Sequence, residues 1–266
     1  MAVEMSPRLL EAYGFKHQPA NHLRIKGRRL RAAYRWSTRA VSRGASAQTV
    51  VSNPSLAGAI EGVAGDFQRD RWAYIEPFFT EETQAALVDG WPPRAFFAPM
   101  KTIVKSYDFG FKWIRGQTGQ PEHLQKFKAL EQVYELLRSA ETAERVTDMC
   151  GDGRHRTCYS LATTWAHAGS TLVAHRDSIA HSPDDVSATF LNFVIFVDGT
   201  GGEDAGGTCI AADNEYQEVI FEPTQLTNSA LVYQSVADFY HGFKPMKSRT
   251  FRWTINAQFA APDVYA

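Results

Sequence analysis

Cys158-Tyr-Ser-Leu-Ala-Thr-Thr-Trp-Ala-His-Ala-Gly-Ser-Thr-Leu-Val-Ala-His-Arg-Asp177 reads as two strands joined by a tight turn. Cys158 to Ala166 is rich in β-branched and aromatic residues, Gly169-Ser170 supplies the turn, and Thr171 to Asp177 runs on in extended form. The second strand ends in chemistry. Residues i and i+2 of a strand share a face, so His175 and Asp177 can reach one ion while Arg176 points away.

The same pattern continues downstream. Thr189 to Val197, Thr208 to Ala211, Glu218 to Phe221, Ala230 to Gln234 and Thr250 to Phe259 are short apolar segments set between Gly, Pro, Asp and Asn. Seven or eight strands without intervening helices predict a jelly roll. A distant strand of such a fold can bring His241 to the pair. Two imidazoles and one carboxylate leave coordination positions open, which suits non-haem Fe(II) holding dioxygen and a bidentate oxoacid better than a closed structural zinc site.

The oxoacid 2-oxoglutarate carries a second carboxylate at its far end, and a planar, permanently charged guanidinium is the natural clamp for it. Arg249 and Arg252 lie downstream of His241. If Arg252 faces inward, so do Thr250, Thr254 and Asn256, while Phe251, Trp253 and Ile255 face the covering helices. That phase, with a threonine hydroxyl beside the guanidinium, is the expectation. The opposite phase puts Arg249 inside with Phe251 and Trp253.

With 44% hydrophobic and 12% aromatic residues, the chain of 266 residues can bury a sizeable core. Its formal charge of -1 hides an asymmetry, because residues 1 to 50 hold ten Lys or Arg against only Glu4 and Glu11. Residues 20 to 45 predict a basic helix, followed by a linker from Ser46 to Ser55. Residues 1–55 are therefore read as a basic extension and linker, free to contact an anionic surface or a second subunit. Nucleic acid is not the expected partner. Cys150, Cys158 and Cys209 form no CxxC pair, and the first twenty residues lack a signal peptide's apolar core, so a cytoplasmic protein without a transmembrane segment is expected.

Residues 56–266 are read as the catalytic domain, with a helical cover over 72–150 and a β core over 151–260. Trp72 to Phe79 predicts a strand, Thr80 caps a helix running through Val88, and a second helix is predicted from Glu122 to Ser139. Tyr107, Asp108, Lys112 and Trp113, with the segment Ser178 to Asp185, are candidates to close the pocket; Thr163 and Trp165 are candidates to line it. His181 offers an alternative third ligand, and His167 reads as a turn residue. The glycines between Gly199 and Gly207 do not match GxGxxG and precede a strand, so they predict a long inter-strand turn rather than a nucleotide loop.

These motifs together resemble the Fe(II)/2-oxoglutarate-dependent oxygenases, in the prolyl-hydroxylase-like branch. That superfamily's HxD, distal His and Arg-x-Ser correspond to His175-Arg-Asp177, His241 and Arg252-Trp-Thr254, with Thr in place of Ser. The similarity runs from about Trp72 to Phe259 through WAYIEPFFTEETQAAL, TFLNFVIFVD, GGTCI and ALVYQSVADFYH. It implies a mainly β fold with covering helices around a double-stranded β-helix, cupin-like core. The implied metal ligands are His175, Asp177 and His241, and the cosubstrate residues are Arg252 and Thr254, with Arg249 and Asn192 as further candidates. Phe196 stands where related hydroxylases often have a cosubstrate-binding tyrosine. The implied reaction is hydroxylation of an unactivated C–H bond of a small polar substrate, an amino acid, peptide or sugar acid, with O2 consumed and succinate and CO2 released. Related radical halogenases have Gly or Ala where this chain has Asp177, which favours hydroxylation over halogenation. A cupin-like ligand-binding jelly roll without oxygenase activity, and a nucleic-acid demethylase of the same superfamily, are the alternative readings.

Overall fold

The computed structural model describes residues 54–102, 104–116, 119–177, 190–203, 205–234 and 239–262. The basic helix expected over residues 20 to 45, His181 and the segment 178 to 185 lie outside them. In chain order the elements are α1 (Pro54–Gly62), α2 (Ala64–Asp70), β1 (Trp72–Ile75), α3 (Glu81–Asp89), β2 (Ala98–Lys101) and β3 (Lys105–Ile114), then α4 (Lys128–Leu137), α5 (Ala140–Cys150), β4 (Thr157–His167), β5 (Thr171–His175) and β6 (Leu191–Gly199). They end with β7 (Cys209–Ala211), β8 (Val219–Phe221), β9 (Ser229–Gln234), β10 (Tyr240–Phe243) and β11 (Phe251–Ala260).

The strands form one antiparallel sheet in the order β1-β9-β6-β11-β4-β3-β5-β10-β7-β8, with β2 paired to β3. Side chains far apart in that order touch, so the sheet curls on itself. Tyr233 of β9 lies against His241 of β10 with ring centroids 4.4 Å apart. Trp72 of β1 stacks on Phe221 of β8 at 4.9 Å, bringing the two ends of the order together. Arg252 of β11 reaches Thr208, just before β7. This is the mainly β, double-stranded β-helix core expected; seven of its strands after Gly151 follow the expected segments, and β10 (Tyr240–Phe243), which carries His241, is an eighth that matches none of them.

The outer face of the curl lies under the helices. Phe193 and Ile195 of β6, Ile255, Ala257 and Phe259 of β11 and Leu161 of β4 pack with Leu130, Val133, Tyr134 and Leu137 of α4 and with Val146 and Met149 of α5 in one buried cluster. A face of this kind is stabilised chiefly by removing apolar surface from water, roughly 25 cal/mol per Å². Thr80 caps α3 as expected, its Oγ1 accepting from the Thr83 amide at 3.2 Å.

Three expectations are corrected. The single helix from Glu122 to Ser139 is instead a short 3-10 turn at Leu124–Lys126, then α4, then α5. Ser139 is the cap of that further helix, accepting from the Thr142 amide at 3.1 Å, and Gly151 ends it in the left-handed conformation at φ 69°. The helical cover begins before Trp72, because α1 and α2 pack on α5. The stretch read as pocket closure is a strand: β3 enters the sheet between β4 and β5.

Among the described residues no helix is long and apolar enough to cross a membrane. All three cysteines are free and buried, and burial pushes their thiols up to about 11 at Cys150 and about 12 at Cys158 and Cys209. Because the thiolate is the reacting form, iodoacetamide at pH 7.5 should leave the native protein almost unlabelled over an hour and modify three thiols after denaturation. Rapid labelling of the native protein, read by mass spectrometry, would contradict this burial.

Candidate metal centre and anion clamp

His175 closes β5 and Asp177 follows two residues later, while His241 on β10 is the Cα partner of His175 across the antiparallel pair. The two imidazoles are therefore neighbours by register, with ring centroids 4.3 Å apart. Asp177 completes the group, its Oδ1 3.3 Å from His175 Nε2 and its Oδ2 3.5 Å from His241 Nε2. Ligand atoms from the three residues lie within 4.8 Å of one another. Ligands ~2.1 Å from an ion and at right angles stand ~3 Å apart, so the three can converge on a single cation with little movement.

The protonation states suit that role. His175 Nδ1–H donates to the Val173 carbonyl at 2.8 Å, which orients the ring and leaves Nε2 as the nitrogen on the side of Asp177. His241 is 2% exposed, and burial lowers its pKa to about 4 against the opposing pull of Asp177, so it is neutral at pH 7. Burial works against ionisation of Asp177, but His241, His175 and the Asn192 amide outweigh it and hold the carboxyl well below the usual range. Asn192 Nδ2 donates to Asp177 Oδ2 at 3.1 Å. Arg176 turns away and stacks on Tyr240, 4.1 Å from the ring centroid.

On β11 the polar residues point into the curl and the aromatic ones out. Trp253 stacks on Trp91 beneath the helices at 5.6 Å, while Arg252 is 4% exposed inside the curl. The guanidinium lies 3.9 Å from the Phe243 ring centroid and 5.6 Å from that of Phe196. Its Nη1 donates to the Gly206 carbonyl and to Thr208 Oγ1, and among the described residues its Nε has no partner. Gly206 takes φ 92° in the long turn between β6 and β7, where an added Cβ would strike Met246, so glycine is required for that carbonyl to face the arginine. Burial lowers the Arg252 pKa to about 10, so it remains a cation at neutral pH. Among the described residues the groups acting on it are Tyr107, Tyr233 and Tyr216, with no carboxylate among them.

Tyr107 and Tyr233 connect the two halves of the site. Each feels the negative charge of Asp177 and the positive charge of Arg252, while burial is the main cause that raises its pKa. Both remain phenols, able to donate to an anion between the triad and the guanidinium. Tyr107 was among the expected pocket residues; Tyr233 was not singled out.

Other candidates fall elsewhere. Arg249 lies exposed on the turn before β11 at φ 67°. Thr254 faces inward and is fully buried, but its hydroxyl is shared with Thr164, and the hydroxyl beside the guanidinium is that of Thr208. Thr163 and Trp165 are corrected as pocket residues. They pair with Ile255 and Trp253 on the outer face, so the pleat sends Thr164, partner of Thr254, inward instead. Asp108 shares the outer face with Trp165 and pairs with Arg94 at 2.5 Å; Trp113 lies under Arg138. His167 contacts Arg94 at the end of β4, away from the triad.

No protein-family model matches the chain, and no curated protein matches it in sequence. Solved structures do match in three dimensions. A prolyl hydroxylase from Trichoplax adhaerens, in complex with a hypoxia inducible factor oxygen degradation domain peptide, superimposes with a TM-score of 0.57 at 9% identity, over 79% of this chain and 92% of that one. A 2OG-Fe(II) oxygenase family oxidoreductase from Burkholderia pseudomallei gives 0.53 at 16% identity, over 76% and 90%. A Pseudomonas putida prolyl-4-hydroxylase gives 0.51 at 14% identity, over 78% and 100%. The chain thus has the double-stranded β-helix fold of these prolyl hydroxylases and of the 2OG-Fe(II) oxygenase family oxidoreductase.

Proposed function

We propose that the chain is an Fe(II)- and 2-oxoglutarate-dependent dioxygenase that hydroxylates a C–H bond of a small polar substrate, an amino acid, peptide or sugar acid, in the cytoplasm. The observation that carries this reading is the buried guanidinium of Arg252, without a carboxylate partner among the described residues, in the same interior as a triad of metal-ligand atoms. A buried cation without an anion costs several kcal/mol. A dianion with a chelating oxoacid at one end and a carboxylate at the other would satisfy both halves of the site together.

His175 and His241 would supply neutral imidazole nitrogens and Asp177 the anionic oxygen. Arg252 would hold the far carboxylate, with Thr208 fixing the guanidinium and the phenols of Tyr107 and Tyr233 donating alongside. Phe196 and Phe243 exclude water from that end, which strengthens the charge pairing. When bound, iron with 2-oxoglutarate and dioxygen supplies oxidative decarboxylation to succinate and CO2 coupled to oxidation of the substrate C–H bond. Three free, buried cysteines agree with a reducing compartment.

The test is turnover. Prepared anaerobically, the protein should bind one Fe(II) and develop the weak visible band of the ferrous 2-oxoglutarate chelate, and in air it should form succinate, faster with a matching substrate from a panel of amino acids, peptides and sugar acids. No band and no succinate under any condition would overturn the assignment.

A further inference from the structure

We infer that Lys105 binds an anionic group of the substrate, so that among the polar classes proposed above the chain acts on those that carry a carboxylate. The inference rests on the reading of the site as an Fe(II) and 2-oxoglutarate centre. β3 sends every second side chain into the curl. The Tyr107 ring lies 6.2 Å from that of Phe243, which lies against Arg252, and Phe109 is the Cα partner of Thr164, whose hydroxyl meets that of Thr254. Lys105 has the same parity and is the Cα partner of Leu172, which packs in one cluster with Phe243 and Tyr107. The register of β3 with β2 is regular from Ser106 to Phe109, so no bulge reverses that phase.

The turn before β3 holds Lys105 close to the triad. The Thr102 amide donates to the Lys105 carbonyl at 2.8 Å, and Thr102 Oγ1 accepts from the Val104 and Lys105 amides at 3.3 and 3.1 Å. Beside it the Val173 amide donates to the Val104 carbonyl at 2.8 Å, and the Val173 carbonyl in turn accepts from His175 Nδ1. One hydrogen-bonded residue thus separates the turn from a proposed metal ligand. The charge of Lys105 is felt at His241, where it acts with burial to keep that imidazole neutral.

The balance of charge then points outward from the cosubstrate. A divalent cation and Arg252 are matched in charge by Asp177 and a dianionic oxoacid, which leaves Lys105 as a surplus cation on the same interior. Its side chain is half-buried, and among the described residues its ammonium has no ion pair and no hydrogen bond. An ammonium that has given up part of its hydration recovers most from a carboxylate, through charge-assisted hydrogen bonds. An amide or a hydroxyl in that place would leave the charge unmatched.

Methanesulfonate and methanesulfonamide are the probes, an anion and a neutral molecule of nearly one shape, with Mn(II) and saturating 2-oxoglutarate bound to the full chain under nitrogen. Relaxation of the probe's methyl protons by the paramagnetic ion reports binding near the metal without turnover. In the parent protein the sulfonate should relax at least about threefold faster than the sulfonamide, as a charge-assisted contact requires. Lys105→Gln should erase that excess and Lys105→Arg should keep it, with native circular dichroism and unchanged 2-oxoglutarate affinity in both. Lys101→Gln is the control: Lys101 is the Cα partner of Ser106, on the opposite face, so the excess should survive. For a turned-over carboxylic acid, Lys105→Gln should raise KM about tenfold and leave kcat nearly unchanged. Equal relaxation of the two probes in the parent, as for a lysine whose stem merely covers Leu172, or an excess that persists in Lys105→Gln, would overturn the inference alone. A rise in the 2-oxoglutarate Kd in Lys105→Gln would also overturn it, by assigning the ammonium to the cosubstrate. Failure of the parent protein to bind Mn(II) and 2-oxoglutarate would overturn the proposed function and the inference with it.

Discussion

Asp177→Ala should abolish turnover and weaken Fe(II) or Co(II) binding by at least about 100-fold, beyond the 10- to 100-fold typical of losing a residue that merely supports a ligand. As proposed, Asp177 would supply the one anionic oxygen of the triad, and its loss would leave two imidazoles alone to hold a divalent cation. Protonation of His241 cannot account for the loss, because removing the carboxylate removes the charge that opposes the burial-driven lowering of its pKa, so that imidazole stays neutral. The backbone there lies just past the end of β5, outside the ladder with β10, so the fold should survive. Metal affinity within threefold of the parent protein would show that Asp177 is not a ligand.

The second large effect comes from the opposite charge. Arg252→Leu should raise the Kd for 2-oxoglutarate by about 30-fold or more, the lower end of the 2–5 kcal/mol for breaking a buried charge pair. Without cosubstrate, the same variant should melt at an equal or higher temperature, since replacing a buried cation that has no carboxylate partner among the described residues by an apolar side chain is expected to be neutral or stabilising. A purely structural arginine would behave the other way, losing stability and leaving cosubstrate affinity alone. Arg249→Ala on the exposed turn is the control, expected to change neither readout. If Arg249 instead proves to control cosubstrate binding, the clamp has been assigned to the wrong arginine.

The legible parts of the site were those where chemistry and strand period agree. β11 alternates Arg252, Thr254 and Asn256 with Phe251, Trp253 and Ile255, so polar-in and aromatic-out could be read from spacing alone. Thr163 and Thr164 could not be separated that way, because adjacent threonines are equivalent until pairing with Ile255 and Thr254 sets the phase. Tyr233 was hidden for a different reason. It lies in β9, Ser229–Gln234, which is buried throughout, and a strand covered on both faces has no alternation to show which side chains look inward. β3 escaped because Lys105, Asp108 and Lys112 interrupt it, and Phe111 sits at φ 48° by a break in register with β4. The hydrogen bonds from Ser160 to Gln258 and from Gln258 to Asn192 depend wholly on which residues β4, β11 and β6 set opposite one another, which no single segment contains.

The contact between Trp72 and Phe221 has a consequence for how copies of the chain behave toward each other. A sheet exposes unpaired amides and carbonyls only along its margins, where another chain can add itself. Here β1 spans four residues and β8 three, and their rings meet across the gap. The remaining margin among the described strands, β2, carries Pro99, which has no amide to offer, and Lys101, whose charge repels a like neighbour. A core with this many strands thus leaves few places where self-templated aggregation can begin.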